Sequence, residues 1–226
     1  MTDILPGITT DEDLFRYIEK RLYTAVICDS LDHLGAREQA MREYLRPVHS
    51  GFRMAGWART ILCRDVYELS ANPYEKEIEA VDSILPGEIV VVTTQRSIRN
   101  APWGELLSTA AKARCGRGAV VDGFIRDVML IEQLGFPVFA AGIKPLDSAC
   151  RGIVQEYNVP VDCGGVLVHP GDLVVTDYDG IVVVPRRLVA ETIRLASDKV
   201  SRENNTRREL KEGAFLRDVY AKYGVL

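Results

Sequence analysis

The sequence predicts one mixed α/β domain with a β-rich second half and a long C-terminal helix. Three observations carry this. Residues 100–127 read as a helix, a buried strand and a polar turn in succession. Two β-branched runs, Pro86-Gly-Glu-Ile-Val-Val-Val92 and Pro170-Gly-Asp-Leu-Val-Val-Thr176, are each introduced by the same Pro-Gly turn. From 186 onward the pattern becomes charged and helix-favouring. At 226 residues the chain is long enough for one well-buried domain. No linker or low-complexity stretch divides it, so 1–226 is read as a single domain with 186–226 as a helical extension.

The elements follow in order. Residues 11–22 place apolar side chains at 14, 15, 18 and 22 behind an acidic start, which is helical spacing. A second short helix spans Ala25 to Leu34 and stops at Gly35. Residues 51–64 read as a strand with its turn. Asn72-Pro73 reads as an N-cap and first-turn pair, opening a helix that runs to about Leu85. The strand after Pro86-Gly87 leads into the 100–127 unit. Val128 to Leu134 is a helix stopped by Gly135, and Val138-Phe-Ala140 is a short strand. Residues 163–185 are strand-rich, with a tight hairpin at Asp179-Gly180. In the last helix, 186–212, the apolar stripe at 188, 189, 193, 196 and 200 fades after Val200. Its distal half is therefore expected to project into solvent or to pack on a neighbouring subunit.

Composition narrows the function. Hydrophobic content of 47% and charge of 27% belong to an ordinary globular protein, and the net charge of 28 − 32 = −4 offers nothing to nucleic acid. No apolar run reaches the length of a membrane span, and Met1-Thr-Asp-Ile-Leu-Pro6 lacks a signal-peptide pattern; a cytoplasmic protein without a membrane partner is expected. The five cysteines form no Cys-x-x-Cys pair, as expected of reduced thiols. His33, His49 and His169 are not at metal-ligand spacing. There is no Gly-x-Ser-x-Gly, no lysine in a Schiff-base setting, and Gly116-Arg-Gly118 is too short for a phosphate loop.

The chemistry concentrates in Asn100-Ala-Pro-Trp-Gly-Glu-Leu-Leu…Val-Val-Asp-Gly-Phe-Ile-Arg-Asp127. Glu105 opens the helix; Arg126 and Asp127 end the strand. If helix and strand pack as a unit, both acids and the guanidinium face one crevice at the strand's C-terminal end, where open α/β folds bind ligands. Asp127 directly precedes a helix, so capping that helix is its alternative role. Glu105 equally suits a plain helix first turn. The free N–H groups of Gly104, Glu105, Leu106 and Leu107 would suit a small carboxylate.

The Gly-Glu-Leu-Leu helix start followed by Val-Asp-Gly-Phe-Ile-Arg-Asp resembles the RraA-like family, in its branch of class II 4-hydroxy-4-methyl-2-oxoglutarate / 4-carboxy-4-hydroxy-2-oxoadipate aldolases. The resemblance runs from Thr24-Ala-Val-Ile-Cys-Asp29 to about Gly213. It implies a swivelling β/β/α fold and a lyase that cleaves a small 2-oxo-4-hydroxy acid to pyruvate with Mg²⁺ or Mn²⁺, decarboxylating oxaloacetate as a side activity. By resemblance Asp127 ligates the metal, Glu105 holds a metal-bound water, and Arg126 stabilises the enolate. Asp29 assists proton transfer, and Glu203 enters the neighbouring subunit's site in a homotrimer or hexamer. Family members often carry Asp where this chain has Glu105. The family's other face is that of a non-catalytic regulator that inhibits an RNA-degrading endonuclease by protein–protein contact. A methyltransferase label also occurs, but the chain has no glycine-rich S-adenosylmethionine loop. Arg37, Arg42, Arg46 and Arg151 remain open as partners for a second substrate carboxylate.

Overall fold

The computed structural model describes residues 4–225. Helices α1 (Asp11–Arg21) and α2 (Thr24–His33) come first. The α1 start is a capping box: the Asp13 N–H donates to the Thr10 hydroxyl at 3.1 Å while the Asp13 carboxylate accepts from the Thr10 N–H at 3.1 Å. Helix α2 stops at Gly35, whose φ is +78°. Next come β1 (Arg46–Pro47), β2 (Met54–Asp65), α3 (Glu75–Asp82), β3 (Glu88–Thr93), α4 (Glu105–Ala113), β4 (Gly118–Ile125), α5 (Val128–Leu134) and β5 (Val138–Ile143). The second half holds β6 (Gly152–Tyr157), β7 (Val161–Cys163), β8 (Val166–Val168), β9 (Leu173–Asp177), β10 (Gly180–Val184), α6 (Val189–Lys211) and α7 (Leu216–Tyr223).

Eight strands form one sheet in the order β1-β5-β4-β3-β2-β9-β10, with β6 added to the distal half of β2; β7 and β8 pair separately. Strands β2 to β5 run parallel, and β9 and β10 complete the sheet antiparallel. The sheet almost closes. Met41 N–H donates to Ile181 on β10, and a few residues later β1 pairs with β5, so one segment bridges the two ends. The two Pro-Gly turns dock on either side of one point in β2: Trp57 N–H donates to Gly87 O and Gly171 N–H donates to Ala58 O. Both glycines have φ above +80°, which explains the repeated dipeptide.

The β-branched runs bury both faces. In β3, Ile89 and Val91 point into the sheet's inner core while Val90 and Val92 pack under α3, α4 and α5. In β10, Ile181 and Val183 face inward, and Val182 and Val184 meet α1, α2 and α6. Each of these valines contributes roughly 1.5–3 kcal/mol by leaving water, which is why the strands read as continuous apolar runs rather than alternating ones.

Two expectations need correction, and one strand has no counterpart in the sequence reading. Helix α3 begins at Glu75 after Tyr74, with no side-chain cap, and ends at Asp82; Asn72 stands before it in a turn. The stretch 144–160 holds β6, which has no clear sequence pattern because it adds to an already paired strand. The distal half of the C-terminal helix is not bare: the chain breaks at Gly213, and α7 folds back so that Thr206 and Val219 are buried and Lys222 and Tyr223 both reach Glu209. Leu210 and Leu216 still line an open groove beside it.

The cysteines are free, Cys63 and Cys163 buried and both shifted upward by burial, Cys63 to about 12. No helix among the described residues is long and apolar enough to cross a membrane.

Candidate functional site

Strand β4 ends at Ile125, and the extended segment before α4 is pinned against it. Trp103 bridges to Ile125, and the Arg126 N–H donates to the Trp103 carbonyl at 3.0 Å. The Trp103 indole is buried; its N–H donates to Ser108 Oγ at 2.9 Å, and that hydroxyl donates to the Gly104 carbonyl at 2.9 Å. The start of α4 is thus locked to the end of β4, as the spacing of Glu105 and Arg126 predicts.

Asp127 sits at the N-cap position of α5, yet its side chain caps nothing there. Its backbone is left-handed, φ +61° and ψ +32°. That conformation costs an L-residue about 1–2 kcal/mol, least for Asp and Asn. The turn directs the carboxylate across to α4, where Oδ2 accepts from the Glu105 N–H at 3.4 Å. Gly104 makes room for it: a Cβ on Gly104 would lie 2.7 Å from Asp127 Oδ2. The capping alternative is thereby removed, and the carboxylate lies over a helix N-terminus with the free N–H groups of Leu106 and Leu107 nearby. By contrast, Asp122 in the same motif is structural: buried, it accepts from the Tyr44 hydroxyl and the Gly164 N–H, both at 2.9 Å.

The Arg126 guanidinium lies between two carboxylates. Its Nε is 3.7 Å from Asp127 Oδ2, and its Nη2 is 3.1 Å from Asp147 Oδ1. These groups line a cavity of about 310 Å³ together with Tyr74, Glu77 and Ser148. The Tyr74 hydroxyl donates to Asp147 Oδ2 at 2.5 Å. Burial alone would raise the Asp147 carboxyl, but that hydroxyl, the Ala149 N–H and Arg126 outweigh it and hold it below its usual value. Glu77 moves the other way: burial first, and then the charge of Asp147, push it up to about 7 despite Arg126.

Sequence alone does not single out Tyr74, Glu77 or Asp147. One signal existed for Glu77: it stands three and four positions before Ala80 and Val81, on the buried stripe of α3, where a carboxylate is out of place. Asp147 lies in the stretch without periodicity and had no signal.

The other expected residues are placed differently. Glu105 opens α4, but its carboxylate accepts from the Thr109 hydroxyl at 2.6 Å and does not line the cavity. Asp29 and Glu203 share a separate groove of about 660 Å³ between α2 and α6. There Asp29 pairs with Lys199 at 2.6 Å, and Glu203 accepts from the Tyr23 hydroxyl and lies 3.8 Å from Arg207. Within one chain these two acids are not part of the Arg126 cavity.

Among the described residues no group of three or more His, Cys, Asp or Glu side chains is arranged to hold a metal. The donors that are present suit a hard divalent ion held by one carboxylate and otherwise by solvent or substrate oxygens, which is Mg²⁺ behaviour. Asp127 fits this, since its carboxylate is about 42% exposed and leaves its own helix uncapped.

A sequence model described as RraA-like, Aldolase/RraA, matches residues 24–183. The chain belongs to the RraA-like family. The matched region contains the whole Gly104–Asp127 unit and ends before α6, so Glu203 lies outside it. A protein of Halalkalibacterium halodurans named "Putative 4-hydroxy-4-methyl-2-oxoglutarate aldolase" is 28% identical over 197 residues, 87% of this chain and 89% of that one. A Pseudomonas aeruginosa protein of the same name is 40% identical over 110 residues, 49% of this chain and 67% of its own length. Among solved structures, Streptomyces coelicolor RraAS2, described as an unusual member of the RNase ES inhibitor RraA protein family, superposes with a TM-score of 0.77. It is 32% identical and covers 89% of this chain and 99% of its own. The mixed α/β fold with its long C-terminal helix is therefore the family's fold. At the level of the family, these names support a lyase.

Proposed function

We propose that this protein is a divalent-metal-dependent lyase that cleaves a 2-oxo-4-hydroxy acid to pyruvate by retro-aldol reaction. The observation that carries it is the turn of Asp127. A left-handed residue spends its carboxylate not on its own helix but on a glycine-floored cradle beside Arg126. Asp127 would hold Mg²⁺ or Mn²⁺, which when bound supplies Lewis acidity to the 2-oxo acid. The chain's own groups do the rest. The first-turn N–H groups of α4 take the substrate carboxylate. A base removes the proton of the 4-hydroxyl; Glu105 serves once it swings away from Thr109. The C3–C4 bond then breaks, C4 becomes a carbonyl, and the electron pair moves into the pyruvate enolate. Arg126 faces the enolate oxygen and offsets its charge. Return of the proton to C3 gives pyruvate. The same enolate chemistry accounts for decarboxylation of oxaloacetate.

The site is completed in a cyclic homotrimer or a pair of trimers. The α2–α6 groove with Asp29 and Glu203 of one subunit meets the Arg126 cavity of the next, a head-to-tail contact that closes into a ring. The likeness to RraAS2, of the RNase ES inhibitor RraA family, favours a second reading, a regulator that binds an endonuclease. One assay separates the two. Purified protein with Mg²⁺ is offered a panel of 2-oxo-4-hydroxy acids and pyruvate is measured, beside an endonuclease pull-down. Pyruvate that disappears with EDTA supports the lyase. Turnover in excess EDTA contradicts metal dependence, and capture of the endonuclease without pyruvate from any compound favours the regulator.

A further inference from the structure

We infer that Asp147 is a positioning residue for Arg126: its carboxylate, backed by the Tyr74 hydroxyl, fixes the guanidinium where the enolate oxygen forms. This rests on the lyase reading and adds to it a pair of residues that act through Arg126 and not on the substrate.

Arg126 needs such a hold. An arginine side chain is rotamer-rich, and this one is 39% exposed. Its backbone N–H is bonded to Trp103, which fixes where the side chain starts but not where it ends. Among the described residues the guanidinium has two partners. Nε stands 3.7 Å from Asp127 Oδ2, and Nη2 stands 3.1 Å from Asp147 Oδ1. The pair with Asp147 is the closer one, and Asp127 has a metal to hold in the lyase reading. Asp147 is therefore the fixed point.

Asp147 is itself held, and its two oxygens divide the work. Oδ1 faces Arg126, while Oδ2 accepts from the Tyr74 hydroxyl at 2.5 Å and the Ala149 N–H at 2.9 Å. The loop that carries it is tied to both segments beside Arg126. The Lys144 N–H donates to the Ile125 carbonyl at the end of β4, and the Ala101 N–H donates to the Leu146 carbonyl, each at 2.9 Å. Beyond Asp147 the Ser148 carbonyl accepts from the Arg151 and Gly152 N–H groups, both at 2.8 Å, and the Arg151 guanidinium donates to the Asp147 carbonyl at 3.1 Å. All of these contacts lie within one chain, so neither a cation nor a neighbouring subunit has to supply them. A donor fixed in this way stabilises developing charge without reorganising at the moment of reaction.

Asp147→Asn separates the two oxygens. The amide oxygen can keep the bonds to Tyr74 and Ala149, but the group left facing Arg126 carries no negative charge. With Mg²⁺ and the 2-oxo-4-hydroxy acid that wild type cleaves best, kcat should fall by about 10–100-fold. KM should stay within about threefold, since Arg126 acts on the enolate and not on the bound substrate. The Mg²⁺ requirement should not move. In an Arg126→Ala background the same substitution should change kcat by less than about twofold, because the group it positions is gone. Tyr74→Phe leaves Asp147 charged and should cost about two- to tenfold; it also serves if the Asn variant does not fold. Wild-type kcat in the folded variants overturns the proposal. So does an equal loss with and without Arg126, which is the mark of a purely structural loop, and so does a raised Mg²⁺ requirement, which would make Asp147 a ligand. Crystal structures of wild type and variants keep the two levels apart. If wild type yields no pyruvate from any compound, the lyase reading fails, while a guanidinium displaced in the variants sustains the hold and one that stays in place overturns it.

Discussion

The Arg126 cavity and the α2–α6 groove are built by opposite means. At the end of β4, local sequence places the central groups: a left-handed Asp127, a glycine with no room for Cβ, and a tryptophan that ties helix to strand. In the groove, Asp29 and Glu203 come together from helices 170 or more residues apart in sequence, and each already has partners in Lys199, Tyr23 and Arg207. The first arrangement is strained and pre-set; the second is a pair of satisfied acids, Asp29 half-exposed and Glu203 largely covered, that acquires a task only if another subunit meets the groove. The difference teaches that the strain at Asp127 needs an explanation in function, whereas the groove needs one in assembly.

The largest expected effect breaks the first region. Arg126→Ala should lower kcat by about 10²–10³, the usual cost of losing one charge-stabilising donor. Arg126→Lys should recover little of it, because a point charge does not replace a planar fork held between two carboxylates. Circular dichroism should show both folded. A lysine variant with near-native turnover would mean that only net charge is needed there.

The next sharpens the link between the regions. Glu203→Ala and Arg126→Ala should each be nearly inactive. Co-expressed in equal amounts they should form mixed rings in which half the chains keep Arg126 and half keep Glu203, so about a quarter of the sites are intact. Activity near that fraction of wild type supports the shared site. Mixed oligomers, confirmed by mass spectrometry, that remain as inactive as either parent would break it, and so would a monomer by light scattering.

Gly104→Ala comes third. The backbone there is extended, φ −154°, so alanine fits it without strain. Its methyl would nonetheless meet Asp127 Oδ2 and displace the carboxylate. Activity should fall about 10–100-fold, as small misplacements at reacting groups do, with little change in Tm. If activity is kept, the close approach of Asp127 has no role.

The smallest effect is one of stability. Glu77 is raised from 4.5 to about 7 in the folded protein. A group with a raised folded value holds its proton longer than in the unfolded chain, so the folded state loses stability as pH rises from about 4.5 through 7. Glu77→Gln has no proton to lose. Its stability relative to wild type, from urea melts, should therefore increase between pH 5 and pH 8 by on the order of 1–3 kcal/mol. A pH-independent difference would show that Glu77 is not desolvated.

Much of this was legible in sequence, and unevenly. Helix α5 and its glycine stop, the Asp179-Gly180 hairpin and the Pro-Gly turns were readable because turn chemistry is local. The lock between α4 and β4 was readable from motif spacing. Strand β6 was not, because its partner is already paired on one side and its own pattern is weak. Helix α7 was missed because the break at Gly213 lies inside a charged stretch. In the site, Asp147 is invisible because its position depends on a loop closing over α3, and the helix-start position of Glu105 suggests a cavity-facing carboxylate although Thr109 holds it along the helix. Distant contacts of this kind leave no periodic trace.

Asp127→Asn separates metal ligation from a purely structural role at the left-handed turn. Asn accepts the left-handed backbone as readily as Asp and fills the same space beside Gly104, but it is a far poorer ligand for a hard cation. The measurement is pyruvate release against Mg²⁺ concentration, with Tm recorded on the same preparation. An unchanged Tm is expected, with loss of nearly all turnover at Mg²⁺ concentrations that saturate wild type. Wild-type turnover at low Mg²⁺ would contradict it.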